Sequence, residues 1–315
     1  MTMQTNQASQ INQMYNDMKF ENFDDVWGKL GNPALVEKKF LELLPEVQKL
    51  ENKSIYLQML SQLALAQALM KNIDVAHTTL DAAQAQLHPD YNIARARIFL
   101  ERGRIFQQVA DSVQARTYFE KSYELSKQYN FEIPMIDSAH MIAIVVDTTE
   151  SKIAWNQLAL DLIMKSNDAQ ARRWLGSVWN NLGANYLDEK QFEKALHAFE
   201  KTLEYRLQEN YAPNVRFAKF RIGQILRILG RLEKALMVQQ ELLLSYEAMV
   251  KSGKLDITPE MFTLTRGWIY EEFIELYHAA MKGYAKLAYA DLSTNEWFAQ
   301  AEPVRLERLQ KIQNS

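Results

Sequence analysis

The chain contains no cysteine, which excludes disulfide scaffolds, thiolate zinc sites and cysteine nucleophiles at once. Proline and glycine are scarce, 7 and 10 in 315 residues, so collagen-like and loop-dominated chains are excluded too. No stretch approaches the roughly 18 consecutive apolar residues of a membrane span. The opening residues, Met1 to Asn16, are polar and lack the basic and apolar regions of a secretory signal. These absences predict a soluble, cytoplasmic protein without membrane association. Long basic runs are missing as well: 36 Lys and Arg are interspersed with 39 Asp and Glu, for a formal charge of −3. A phosphate-tracking surface needs clustered positive charge, so nucleic acid is not an expected partner.

Strand formers are thinly spread, and their one cluster is Ile142-Ala143-Ile144-Val145-Val146. Elsewhere Ala, Leu, Gln, Glu, Lys and Met dominate, which lose little rotamer freedom in a helix. Hydrophobic residues make up 48%, enough to bury a large apolar surface. The fold class that follows is all-α.

The helices repeat. Trp179-Asn180-Asn181-Leu182-Gly183-Ala184-Asn185-Tyr186 is followed by Ala195 and Phe199. Gly183 and Ala195 stand 12 apart, and the pair recurs as Gly103 with Ala115 and Gly223 with Ala235. Weaker copies are Ala64 with Ala76 and Gly267 with Ala279. Ala143 fills the remaining gap, with Trp155 and Ala154 at a degraded second position. The small anchors thus fall at 64, 103, 143, 183, 223 and 267, a period near 40. Glycine inside a helix costs about 1 kcal/mol relative to alanine, so its recurrence in phase demands close approach of two backbones. The Ala is read as the other half of that contact, and Tyr186 and Phe199 as filling space toward neighbouring hairpins. Pro89, Pro134, Pro213 and Pro259 precede anchors where first helices should begin, since a missing N–H is harmless in a first turn.

A 40-residue period also suits HEAT or armadillo repeats, but the spaced W-L-G-Y-A-F set resembles the tetratricopeptide repeat. The longer hairpins are similar to those of kinesin light chains and of Rap and PlcR-type bacterial peptide sensors. The resemblance implies an α-α superhelix, a solenoid of about six hairpins over approximately 55–89, 94–130, 134–168, 172–210, 214–252 and 259–292. Residues 1–54 read as a helical cap containing helices at Ile11 to Leu30 and Pro33 to Leu50. Residues 293–315 read as a capping helix, with Thr294 as its N-cap.

Catalytic constellations are not visible. Glu275-x2-His278 matches half of a di-iron motif, and no second copy accompanies it. The five histidines, at 77, 88, 140, 197 and 278, lack metal spacing. Gly-rich phosphate loops and the G-x-S-x-G elbow are absent. The expectation is a protein that is not an enzyme and takes no cofactor or metal.

The family resemblance also implies where binding occurs: first helices line the inner face, at positions three before, one after and four or five after each anchor. The resulting groove residues are Arg104, Gln107 and Gln108, then His140, then Asn180, Asn181 and Asp188, then Phe220, Arg221, Gln224 and Arg227. Amides both donate to and accept from a peptide main chain, and arginine forks onto carboxylates. Asn180-Asn181 resembles the asparagine pair by which related arrays hold peptide backbone, whereas Ala184 breaks the carboxylate-clamp pattern of chaperone cofactors. Two roles stay open: a scaffold or adaptor for a protein or peptide, or a Rap- or PlcR-like sensor of a small signalling peptide. The sensor would lack a DNA-binding domain, because no basic recognition helix precedes the array. A Rap-like phosphatase would need a glutamine on an N-terminal bundle, and Gln4, Gln7, Gln10 and Gln13 lie in a polar tail that singles none out.

Overall fold

A computed structural model describes residues 23–209, 211–277, 289–290 and 292–314. Among them every regular element is a helix. The chain divides into two compact units, Met1–Arg172 and Arg173–Ser315. Within each, successive helices pack on one another in chain order. The first unit holds α1 (Phe23–Leu30), α2 (Pro33–Val47), α3 (Lys53–Leu69), α4 (Ile73–Gln84), α5 (Asn92–Gln108), α6 (Ser112–Tyr129), α7 (Glu132–Val145) and α8 (Thr149–Lys165). Its core is built on Phe40, Leu57, Met59, Leu80, Ile98 and Ile105, all fully buried. A 3-10 segment, Ala169–Trp174, leads into the second unit. That unit holds α9 (Leu175–Asp188), α10 (Phe192–Glu209), α11 (Ala212–Ile228), α12 (Leu232–Ser252), α13 (Pro259–Tyr277), α14 (Glu296–Ala301) and α15 (Pro303–Asn314). Its cores centre on Phe199 and Ile225, on Leu242 and Ile269, and on Ile274 and Phe298.

Four hairpins share one turn. Between α3 and α4, α5 and α6, α9 and α10, and α11 and α12, the middle residue is left-handed: Lys71, Ala110, Lys190 and Gly230, with φ of 68°, 60°, 57° and 73°. In each, the next residue's N–H donates back to a carbonyl in the first helix. The pairs are Asn72 to Gln67, Asp111 to Phe106, Gln191 to Tyr186 and Arg231 to Leu226, at 2.8–3.0 Å. This is the Schellman closure, which satisfies orphan carbonyls at a helix end. Only one of the four turns uses glycine, so backbone bonding, not residue type, unites them.

The small anchors sit where the helices cross. A Cβ on Gly103 would come within 2.5 Å of the Phe119 ring, and one on Gly183 within 2.8 Å of Phe199. The aromatic ring thus lies over the glycine of its own hairpin, which corrects the expectation that it faces the neighbouring one. Ala115 also takes part, its carbonyl 3.1 Å from the same Gly103 position. For Gly267 the covering ring is Phe298 of α14, at 2.5 Å; Ala279, expected as that glycine's partner, lies outside the described residues.

One further expectation needs correction, and the third hairpin is built differently from the others. In the third hairpin α7 ends at Val145, only two residues past Ala143, and the turn contains no left-handed residue. Thr148 caps α8 instead, its Oγ1 accepting from the Ser151 N–H at 3.2 Å. In the second helix Ala154 is exposed, Trp155 packs edge-on against Tyr123 at 5.1 Å, and Asn156, Ala159, Leu160 and Ile163 form the buried face, with Ala159 placed after Ala143 as Phe119 and Phe199 are after Gly103 and Gly183. At the C-terminal end the single helix from Thr294 is in fact two. Asn295 caps α14, accepting from the Phe298 N–H at 3.0 Å, and the chain breaks at Glu302 (φ −132°, ψ 51°) before Pro303 opens α15. A residue before proline is driven out of the helical region by the pyrrolidine ring. Of the expected helix Ile11 to Leu30, the described part is helical from Phe23; the rest, including Gln13, and the tail with Gln4, Gln7 and Gln10 lie outside the described residues.

Candidate functional site

Helical periodicity brings one face of α11 opposite one face of α13 in the second unit. Pro213, Phe217, Phe220, Gln224 and Arg227 recur at three- and four-residue steps on α11, and Met261, Thr265, Trp268, Glu272 and Glu275 do so on α13. The cleft between them has two parts. Its apolar part, about 280 Å³, is lined by Phe217, Phe220, Tyr246, Ile257, Met261 and Trp268 among others. Its charged part, about 270 Å³, is lined by Arg221, Gln224, Arg227, Glu271, Glu272 and Glu275, with Arg305 and Arg308 reaching in from α15. Phe217, Phe220 and Trp268 border both parts, and the Phe220 and Trp268 rings lie 5.9 Å apart. A strap closes the apolar end: Arg216 grips Asp256 with two bonds, at 2.5 and 3.0 Å, holding the connector between α12 and α13.

The charges are unequally satisfied. Arg227 forks onto Glu272 at 2.7 and 3.1 Å, and that hydrogen bond, outweighing burial, raises its pKa above the ordinary arginine value. Arg308 holds Glu275 at 2.6 Å, and Arg305 holds Glu271. Arg221 makes no ion pair with any described residue. Its Nη1 donates to Gln224 at 2.9 Å, its guanidinium lies 5.3 Å over the Phe217 ring, and its Nε is buried without a partner. Burial lowers its pKa, against weaker raising effects of Asp188 and Glu272. The Trp268 indole N–H is likewise buried and unpaired. A buried donor left without a partner costs about 1–3 kcal/mol, so the walls of this cleft contain donors that the fold itself does not satisfy.

Of the sequence-predicted residues, the cleft gathers Phe220, Arg221, Gln224 and Arg227. Asp188 contributes through its charge at Arg221; Asn180 and Asn181 are half-buried on α9 and do not line the cleft. Arg104, Gln107, Gln108 and His140 belong to the first unit. There Arg104 departs from expectation: it is not an open groove cation but the centre of a buried network. Its Nη1 holds Glu101 at 2.8 Å and its Nη2 holds Asp137 at 2.6 Å. Glu101 also accepts from Gln62 at 2.9 Å, and Gln62 accepts from the Trp27 indole at 3.0 Å. Burial works against the Arg104 charge, but Asp137 and Glu101 together hold its pKa above the ordinary value. Gln108 accepts from Lys71 at 2.8 Å near the turn of the preceding hairpin.

Sequence reasoning missed the α13 wall, although the signal was present. The register that selects Phe220, Gln224, Arg227 and Ile228 around Gly223 selects Leu264, Trp268, Glu271 and Glu272 around Gly267. Glu275 belongs to the Glu-x-x-His pattern, but it is engaged by Arg308, and His278 lies outside the described residues. Among the described residues no cluster of three or more His, Asp or Glu is placed to hold a metal ion, and no helix is long and apolar enough to cross a membrane.

A tetratricopeptide repeat family model matches residues 174–248. Among solved structures, the apo form of RapI aligns over 98% of this chain and 82% of its own, with TM-score 0.66 at 12% identity. BtubC (BKLC) from P. vanneervenii aligns over 71% and 93%, with TM-score 0.58 at 15% identity. Aspartyl phosphate phosphatase F from Bacillus subtilis aligns over 98% and 89%, with TM-score 0.54 at 16% identity. At these identities the likeness is one of fold. Among curated protein sequences, none matches this chain.

Proposed function

We propose that this chain, which matches a tetratricopeptide repeat model over residues 174–248 and has a fold similar to that of Rap proteins, is a scaffold or adaptor binding a peptide segment of another protein, and that the α11–α13 cleft holds the segment. The observation that carries this reading is the pairing of an apolar hollow with unsatisfied donors on rigid helices. Ligand sites are concave, mainly apolar and equipped with few polar groups that fix orientation. Phe217, Phe220 and Trp268 supply apolar anchorage, Gln224 can both donate to and accept from a main chain, and Arg221 supplies a charge that no described residue ion-pairs. Asn180, Asn181 and Asp188 extend the polar surface on α9. In the first unit Gln107, Gln108 and His140 remain candidates, whereas Arg104 serves the fold.

Peptide display selection on the wild-type protein tests this. Selected peptides should bind the Phe220→Ala/Trp268→Ala double variant at least tenfold more weakly, with its melting temperature as a folding control. Equal binding by both proteins would place the site elsewhere.

A further inference from the structure

The reading just given leaves open what chemistry the cleft selects, and three observations narrow it. First, the apolar and charged parts share Phe217, Phe220 and Trp268 as a common border. One ligand whose apolar group and anion branch from adjoining atoms can therefore fill both. Second, the acids and bases beyond Arg221 are already matched: Arg227 with Glu272, Arg308 with Glu275, Arg305 with Glu271. A chain continuing through that part would have to displace internal pairs. Third, Arg221 has no ion-pair partner among the described residues: Gln224 engages its Nη1, its Nε is enclosed without a hydrogen-bond partner, and no described residue bonds its Nη2. A carboxylate engages a guanidinium with charge-assisted bonds, and Arg221 is the base of this cleft that no described acid holds. The Trp268 indole is a second unpaired donor on the same border.

We propose that the cleft binds the C-terminal end of its peptide partner: the last residue is large and apolar and fills the hollow beside Trp268, and its α-carboxylate pairs with the Arg221 guanidinium. In a terminal residue the side chain and carboxylate branch from one Cα, which matches two parts separated only by shared walls. An internal acidic neighbour fits less well. In an extended segment adjacent side chains point to opposite faces, and the next on the same face lies roughly 7 Å along. A chain that ends at Arg221 also leaves the ion pairs beyond it undisturbed. Arg221 therefore sets specificity, and Arg227 is a structural partner of Glu272.

The test uses the full chain and degenerate synthetic hexapeptides, acetylated at the N-terminus, whose last residue is fixed and whose C-terminus is either acid or amide. Pools ending in Phe, Leu, Met or Trp as acids should bind at least tenfold tighter than pools ending in Ser, Asp or Lys. Amidation should remove most of that advantage. Arg221→Gln should abolish the difference between acid and amide, whereas Arg227→Gln should preserve it; thermal melts confirm that both variants fold. Acid and amide pools that bind the wild type equally, yet are both weakened by Trp268→Ala, would overturn the chain-end assignment and leave the peptide-binding reading standing. Trp268-independent retention of every pool would remove both. N-acetyl-phenylalanine binding as tightly as the hexapeptides would overturn the peptide occupant in favour of a small apolar carboxylate.

Discussion

Gln239 lies directly against Gly223: a Cβ on the glycine would stand 2.6 Å from the amide nitrogen. The corresponding places in α6 and α10 hold Phe119 and Phe199, which cover their own glycines. Gln239 is fully buried, and neither its nitrogen nor its oxygen has a hydrogen-bond partner. Replacing it by methionine, of similar length, removes two unsatisfied polar atoms and should stabilise the protein by about 1–3 kcal/mol. Urea unfolding should show a higher midpoint at unchanged slope; a lower midpoint would mean that the amide finds partners in solution.

Gly183→Val forces a branched side chain where a Cβ already meets the Phe199 ring at 2.8 Å. Overpacking of this kind should cost about 1–3 kcal/mol, read as a fall in melting temperature. The same change at Gly31, where a Cβ meets nothing within 4 Å, carries a left-handed backbone penalty without the clash. Comparison of the two variants separates crowding from backbone strain.

Arg104→Met should leave Glu101 charged and buried without its counter-ion, at a cost of about 3–5 kcal/mol near neutral pH. Burial raises the Glu101 carboxyl above its ordinary value, and Arg104 opposes the rise. A raised carboxyl binds its proton more tightly in the folded state, so its contribution is present at low pH and lost as pH rises through the raised value. Without Arg104 that loss widens. The variant's deficit relative to wild type, measured by urea unfolding at several pH values, should therefore shrink as pH falls toward the ordinary carboxylate range. A pH-independent deficit would assign the cost to lost packing alone.

Lys190 holds the left-handed turn position with φ 57°, which an L side chain adopts at a cost. Lys190→Gly should raise stability by about 0.5–1 kcal/mol, the relief exceeding the added freedom of the unfolded chain. Gly230→Ala, at φ 73° in the equivalent turn, should lower it. The opposite signs are checked by paired thermal melts.

Much of the repeat framework was legible because it rests on steric necessity: a small residue must stand where two helices touch, and it must return with every hairpin. Gly103, Gly183 and Gly223 carry that signal openly. The third hairpin reads as degraded because Trp155 stands where the others place alanine, and its Thr148 cap, in place of a Schellman closure, removes the turn that the other hairpins share. The break at Pro303 was visible as a residue, yet Leu306 sustains an apolar pattern that masks it. In the cleft, Arg221 and Arg227 read alike in sequence. Their difference depends on Glu272, which arrives 45 residues beyond Arg227 from another hairpin. Ion pairing between repeats leaves no local periodicity to read.

The strap between Arg216 and Asp256 means that one wall of the apolar hollow is a connector, not a helix. Helix positions in such an array are locked by contacts that repeat down the chain, so the hollow could not be widened there without disturbing its neighbours. A connector is under no such constraint. Lengthening or shortening the stretch between Gly253 and Thr258 would resize the compartment while every interhelical contact stayed in register, which makes this segment the natural place for ligand preference to diverge among relatives or to be re-engineered.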